Sequence, residues 1–382
     1  MRLPALLALF FSFFAATAIA QPCRPSTWLR LDNRVAEAAR SEVIADMARR
    51  DVVLLGESHE DADHHRWQLH TLSALHAQRP RMVIGFEAFP RSAQAVLERW
   101  VRGELTLAQL AEQTNWRETW KFDVELYRPL FEFARINRVP MVALNVDRRL
   151  TRAVSQKGWD AVPESEREGV SRPAPAPREY EDVLFESFRS HGQTSEAQRD
   201  GAAFRNFVAA QQTWDRAFAE ALARHAGRGG AGTLAVGIIG SGHLLNGHGV
   251  ALQLRELGVP RIGTLLPLRA PAECGALKAG LADAAFLVPG QPEAQPPRPR
   301  LGVRLEQQGG RVRLMDVSAG SLAERSGLRQ GDIIVAVAGK PLDTVESFIE
   351  AVRSQPEGTW LPLQVRRDEA LQEIIVRFPP TR

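Results

Sequence analysis

The densest run of acid–base chemistry in the sequence is Gly56-Glu57-Ser58-His59-Glu60-Asp61-Ala62-Asp63-His64-His65. A carboxylate and an imidazole two residues apart, just past the apolar run 52–55, stand at the carboxyl end of a parallel strand, where open α/β sheets hold their ligands. Glu57 and His59 can converge there. His64 and His65 open the next helix near its positive end, where neutral imidazole is favoured, and serve as supporting or proton-transferring groups. Two further apolar runs end in Gly85-Phe86-Glu87 and Gly240-Ser241-Gly242-His243. If these strands are neighbours, Glu57, His59, Glu87 and His243 meet at one rim. Two imidazoles with one or two carboxylates suit Zn²⁺, Mn²⁺ or Fe²⁺ and leave positions for water. A hydrolytic site of that kind would polarise a carbonyl through the ion and use Glu57 or Glu87 as general base. The plainer alternative is four buried polar groups hydrogen-bonded to backbone. No G-x-S-x-G elbow or H-E-x-x-H helix occurs, which argues against a serine hydrolase or a zincin of that design.

The elements that must position these groups alternate along residues 24–287. Runs at 52–55, 82–86, 141–144 and 234–239 are apolar on both faces, as strands covered by helices should be, and 262–266 adds a fifth. Helical periodicity fills 63–78, 91–102, 125–137 and 200–225. The last carries Phe204, Phe207, Val208, Gln211, Trp214, Phe218 and Leu222 on one stripe, which reads as core. The fold class is therefore α/β, a mostly parallel sheet flanked by helices. Residues 163–177 are irregular and proline-rich and read as a mobile surface loop or a lid. Five prolines in 288–299 mark an extended linker, and a second domain follows over 300–379.

Composition narrows the setting. With 44% hydrophobic residues and a net charge of +3 over 382 residues, the chain is globular and lacks the basic excess of a nucleic-acid-binding protein, so no nucleic-acid partner is expected. Residues 1–20 combine Arg2, an apolar stretch and Ala18-Ile19-Ala20, the form of a cleaved signal peptide. The mature chain is then periplasmic or secreted, has no transmembrane helix, and is not read as a lipoprotein despite Cys23, because Ala20-Gln21-Pro22 is a poor lipidation context. In an oxidising compartment the two cysteines, Cys23 and Cys274, read as one disulfide.

Two resemblances add to this. The paired G-x-x-H motifs Gly56-Glu57-Ser58-His59 and Gly240-Ser241-Gly242-His243, with the strand-end Glu87, His64-His65 and Gln211-Gln212-Thr213-Trp214-Asp215, resemble the ChaN-like branch of the Tiki/TraB/erythromycin-esterase superfamily over about residues 40–270. That resemblance implies haem binding in iron uptake or, as in relatives, a metal-dependent protease or esterase built on Glu57, His59, Glu87 and His243. Haem requires an apolar face and an axial His, Tyr, Met or Cys. Tyr127 and Tyr180 are the candidate tyrosines, and Tyr180, after the proline-rich loop, can reach a pocket or a second subunit of a homodimer. Ser318-Ala319-Gly320-Ser321-Leu322-Ala323-Glu324-Arg325-Ser326-Gly327-Leu328, then Gln330-Gly331-Asp332-Ile333-Ile334, resembles a bacterial-type PDZ domain, a small β-barrel-like unit with two helices. Leu301-Gly302-Val303 would hold the terminal carboxylate of a peptide or protein that adds as a strand. A PDZ adaptor without catalysis is the remaining alternative.

Overall fold

A computed structural model describes residues 23–190, 199–227, 232–290 and 300–380. The signal-like residues 1–20 and most of the linker, 291–299, lie outside the described residues. The chain divides into two units, at Gly290 and Gln291.

In chain order the first unit forms β1 (Trp28–Arg30), β2 (Ala36–Ala38), α1 (Arg40–Met47), β3 (Val52–Glu57), α2 (Ala62–Gln78), β4 (Met82–Pro90), α3 (Gln94–Val101), α4 (Leu107–Gln113), α5 (Trp116–Thr119), α6 (Val124–Ile136) and β5 (Met141–Asn145). It continues through α7 (Arg148–Lys157), α8 (Arg178–Ser190), α9 (Ala202–Ala223), β6 (Leu234–Gly240), α10 (Val250–Glu256), β7 (Ile262–Ala270) and β8 (Ala284–Pro289). The sheet order is β2-β1-β8-β7-β3-β6-β4-β5, parallel from β8 to β5, with β1 and β2 antiparallel at one edge. The run β8 extends two residues into the stretch read from sequence as linker.

Strand β3 is apolar throughout because both its faces are covered. Val53 and Leu55 pack with Ile84, Phe86, Trp100 and Phe131 on one side, and Val52 and Leu54 with Leu144, Phe218 and Leu222 on the other. Each such buried side chain contributes about 1.5–3 kcal/mol, which fixes the strands and so the ends from which the polar groups project. Cys23 and Cys274 form a disulfide with Cα atoms 6.1 Å apart. Residues 163–177 differ from the expected mobile loop. Ser171 donates its N–H and hydroxyl to Glu220 Oε1 at 2.9 and 2.6 Å, and Ala174 exchanges hydrogen bonds with the buried Gln253 side chain. The loop's own composition could not show this, because the anchors come from α9 and α10.

The second unit is an antiparallel sheet of β9 (Val303–Gln308), β10 (Arg311–Val317), β11 (Ile333–Val337), β12 (Lys340–Pro341), β13 (Trp360–Arg367) and β14 (Ala370–Arg377), with helices α11 (Leu322–Arg325) and α12 (Val345–Arg353). Leu301, Val312, Leu314, Ile334, Phe348, Leu363 and Val376 form its core. Among the described residues strand β9 pairs only with β10, and α12 packs beside it. Gly302 has φ +76°, and a Cβ there would meet Ser321 Cβ at 2.5 Å, so only glycine fits. The Leu301 and Gly302 carbonyls accept from Ala323 and Ser318 N–H, both at 2.9 Å, which pins this loop ahead of the β9 edge.

Candidate functional site

The strand order puts β6 between β3 and β4, so three carboxyl ends lie side by side and Glu57 stands opposite Gly240 in register. Gly240 is the hub. A Cβ built on it would lie 3.1 Å from His59 Nε2 and 3.4 Å from Glu87 Oε2, while its N–H donates to Glu87 Oε2 at 2.7 Å. The turn that follows β6 carries His243, whose Nε2 is 3.9 Å from Glu87 Oε1. The tips of His59, Glu87 and His243 thus gather above one glycine.

Glu57 sits behind them, its side chain 1% exposed. Its Oε1 accepts from the Tyr127 hydroxyl at 2.5 Å and pairs with His59 Nδ1 at 2.8 Å; its Oε2 accepts from Gln68 Nε2 at 3.0 Å, with His65 Nε2 at 3.3 Å. Burial alone would raise this carboxyl's pKa, but the hydrogen bonds and charges of His59 and His65 outweigh it and hold the group well below the usual carboxylate range. For His59 the same contest ends upward: burial lowers the pKa, and the hydrogen bond to Glu57 with the charges of Glu87 and Glu57 raises it further than burial depresses it.

Asp215 on α9, fully buried, repeats the arrangement on the other side. His243 Nδ1 pairs with its Oδ1 at 2.7 Å, and the Tyr180 hydroxyl donates to its Oδ2 at 3.0 Å. Burial depresses the His243 pKa, yet the charge and hydrogen bond of Asp215, aided by Glu87, push it up to about 9. Gly249 is required for this approach, since a Cβ would fall 2.3 Å from the His243 carbonyl oxygen and about as close to Asp215 as a hydrogen bond.

The supporting histidines separate in role. His64 Nδ1 accepts the Ser58 N–H at 2.9 Å, which makes it a neutral acceptor that fixes the turn after β3, and burial lowers its pKa. His65 is buried against the Tyr127 ring, centroids 4.3 Å apart. Both tyrosine phenols are buried and bonded to carboxylates, and burial followed by those charges raises their pKa well above the ordinary value. Trp120 and Phe122 flank the His59 ring at 4.5 and 5.3 Å, and Phe218 and Trp214 flank His243 at 5.4 and 6.2 Å.

The expected metal centre is not supported: among the described residues no group of three or more His, Cys, Asp or Glu side chains is arranged to hold an ion. The physical reason is that Glu57, one of the four expected ligands, spends both oxygens on four surrounding groups and lies behind the other three, so it is withdrawn from any shared ligand set. What the arrangement offers is two oriented imidazoles and one carboxylate at a partly open rim. Sequence reasoning missed Asp215 and Gln68 as members, although both residues lie inside stretches it singled out; the i, i+4 spacing of Gln211 and Asp215 is a helix-face signal but does not say what the face meets.

Comparison with known proteins gives two family matches: haem-binding uptake, Tiki superfamily, ChaN, over residues 43–254, more than half of the chain, and PDZ domain over residues 299–377. A solved structure described as cofacial haem binding to ChaN of Campylobacter jejuni is 18% identical and covers 70% of this chain and 100% of that one, with a TM-score of 0.53, a likeness of fold. The HtrA3 PDZ domain bound to a phage-derived ligand (FGRWV) is 26% identical over 20% of this chain and 82% of that one, with a TM-score of 0.19. A 58-residue stretch is 45% identical to a Ralstonia nicotianae protein provisionally named a zinc metalloprotease, covering 15% of this chain; the chain spans only 12% of that relative's length.

Proposed function

The chain belongs to the ChaN haem-binding-uptake family of the Tiki superfamily, and from that premise we propose that it is an exported haem-binding protein of iron or haem uptake whose PDZ domain recruits a protein or peptide C-terminus. His59 carries the reading. Its Nδ1 is tied to Glu57, which leaves Nε2 as the free nitrogen of a ring that is 28% exposed and set between Trp120 and Phe122. An imidazole oriented by a carboxylate is the usual form of a metal-binding histidine, and the two aromatic rings supply apolar surface, so these residues fit an axial ligand with its flanking face. The two phenols fit less well, since each donates to a carboxylate that opposes its deprotonation. Bound there, haem would supply a redox-active iron; the chain's part is to present one nitrogen and exclude water around it.

Export draws support from the signal-like residues 1–20 and from the disulfide, which suits an oxidising compartment. Among the described residues no helix is long and apolar enough to cross a membrane. The PDZ reading draws on the β9 edge, which has a partner on one side only and lies beside α12, the arrangement for strand addition with Leu301, Gly302 and Val303 at the carboxylate end. The test is titration of purified protein with hemin. A Soret band weakened about tenfold or more in His59→Ala and kept in Tyr127→Phe and Tyr180→Phe is expected; a band indifferent to His59 sinks the axial assignment.

A hydrolytic reading rests on a different observation, the two imidazoles that both face Glu87. It makes Glu87 the general base beside two cationic rings that stabilise a developing oxyanion. It requires turnover of an ester or peptide by purified protein, abolished in Glu87→Gln.

A further inference from the structure

Strand β14 ends one side of the second unit's sheet, and among the described residues β13 is its one ladder partner. The turn between them, Asp368-Glu369, has both residues at positive φ, +47° and +65°, the form of a two-residue hairpin turn that closes on a hydrogen-bonded pair, here Arg367 and Ala370. Such pairs recur at every second residue, so Ala370, Gln372, Ile374 and Val376 spend their backbone groups on β13. The Phe378 N–H, bonded to the Thr359 carbonyl at 2.9 Å, keeps the same phase. The N–H and C=O groups of Leu371, Glu373, Ile375 and Arg377 therefore point away from the sheet, and among the described residues they have no protein partner.

The usual protections of an edge are missing. Strand β14 is eight residues long, has no proline or lysine, and pairs with β13 without a bulge. Its outer face is apolar and open: Leu371 is 59% exposed, Ile375 38%, and Trp360, opposite Arg377 on β13, 61%. The charges on that face are Glu373 and Arg377. Arg377 lies over the Trp360 ring at 5.0 Å, and neither side chain meets an opposite charge among the described residues.

We propose that β14 pairs antiparallel with β14 of a second copy of this chain, about a two-fold axis through Ile375, so that two sheets join into one. The register follows from charge. An axis through Ile375 sets that residue against its own copy and sets Glu373 against Arg377 of the partner subunit, once on each side of the axis, while the buried Ile374 falls opposite Val376 of the partner subunit. An axis through Glu373 sets like charges face to face, and axes through Ile374 or Val376 leave Glu373 opposite an isoleucine or a proline. In the favoured register every outward residue from Glu373 to Arg377 exchanges both backbone hydrogen bonds with its counterpart, and Pro379, which has no N–H, ends the ladder. The β9 edge lies at the other end of the sheet, so the pair leaves two such edges free.

The test uses the purified full chain without hemin, with sedimentation velocity over a concentration series as readout. A reversible dimer is expected. Glu373→Arg and Arg377→Glu should each raise its dissociation constant about tenfold or more, and the double variant Glu373→Arg/Arg377→Glu should restore it. Ile375→Pro removes only an outward N–H, so it should abolish the dimer while circular dichroism stays unchanged. The register is checked separately: Cα atoms across the axis stand about 5.5 Å apart, within disulfide reach, so Ile375→Cys should cross-link on mild oxidation and Leu371→Cys should not. A chain that stays monomeric, a dimer that survives Ile375→Pro or both single reversals, or reversals that the double variant does not rescue overturns the edge assignment. Cross-linking through Leu371→Cys in place of Ile375→Cys overturns the register.

Discussion

Two tyrosine–carboxylate–imidazole chains reach the same rim from opposite sides, and they differ in how crowded the carboxylate is. Glu57 is surrounded by Tyr127, His59, Gln68 and His65, whereas among the described residues Asp215 serves Tyr180 and His243 alone. Crowding makes Glu57 an anchor for several elements at once, with His59 as its one outlet. Sparseness makes Asp215 chiefly the counter-ion of His243. The lesson is that the same chemical sequence of groups can be mainly structural in one arm and mainly electrostatic in the other, depending on how many donors share the buried charge.

Removing each carboxylate should show the difference most strongly. Glu57→Ala strands four neighbours and is expected to cost about 3–5 kcal/mol in urea unfolding, with Asp215→Ala about 1–2 kcal/mol milder; equal losses would erase the distinction. The next effect is in pH. His243 has a pKa raised from 6.5 to about 9, so its contribution is complete below 6.5 and fades as pH rises through 9, a loss of up to about 3 kcal/mol in which His59, also raised, shares. Glu57 is lowered, so its contribution is present above its ordinary value of 4.5 and is lost only as pH falls below it. Stability curves should therefore assign the alkaline limb largely to the Asp215 arm, and Asp215→Asn should flatten that limb while sparing the acid one. The smallest effect reverses the first order. Tyr180→Phe takes one of two donors from Asp215 and should cost about 1.5–3 kcal/mol, while Tyr127→Phe leaves Glu57 well supplied and should cost under about 1 kcal/mol. Denaturation midpoints in the opposite order would show that donor number is not what separates the arms.

Legibility in the sequence followed distance along the chain. Glu57 and His59 are two residues apart, and a strand-end carboxylate beside an imidazole is visible as a motif. Asp215 and His243 are 28 apart on a helix and a turn, and nothing local announces that they pair. The sequence offers the tyrosines only as candidate haem ligands, because a phenol's direction is set by packing: Tyr127 stacks on Phe131 and turns its hydroxyl to Glu57. The PDZ unit was legible almost throughout, since its carboxylate-end loop, glycines and short helix are contiguous, and a strand edge needs backbone more than particular side chains.

Alternating apolar runs and helical stripes are properties of neighbouring residues, so the amino-acid order alone determined the α/β class, the two-part division and which residue types stand at each strand end. Only the folded chain decided that β6 inserts between β3 and β4 and that Gly240 leaves room for three side-chain tips. The reason is that strands covered on both sides are interchangeable by pattern: which ones become neighbours depends on how the helices between them pack, and that is a sum over contacts far apart in sequence.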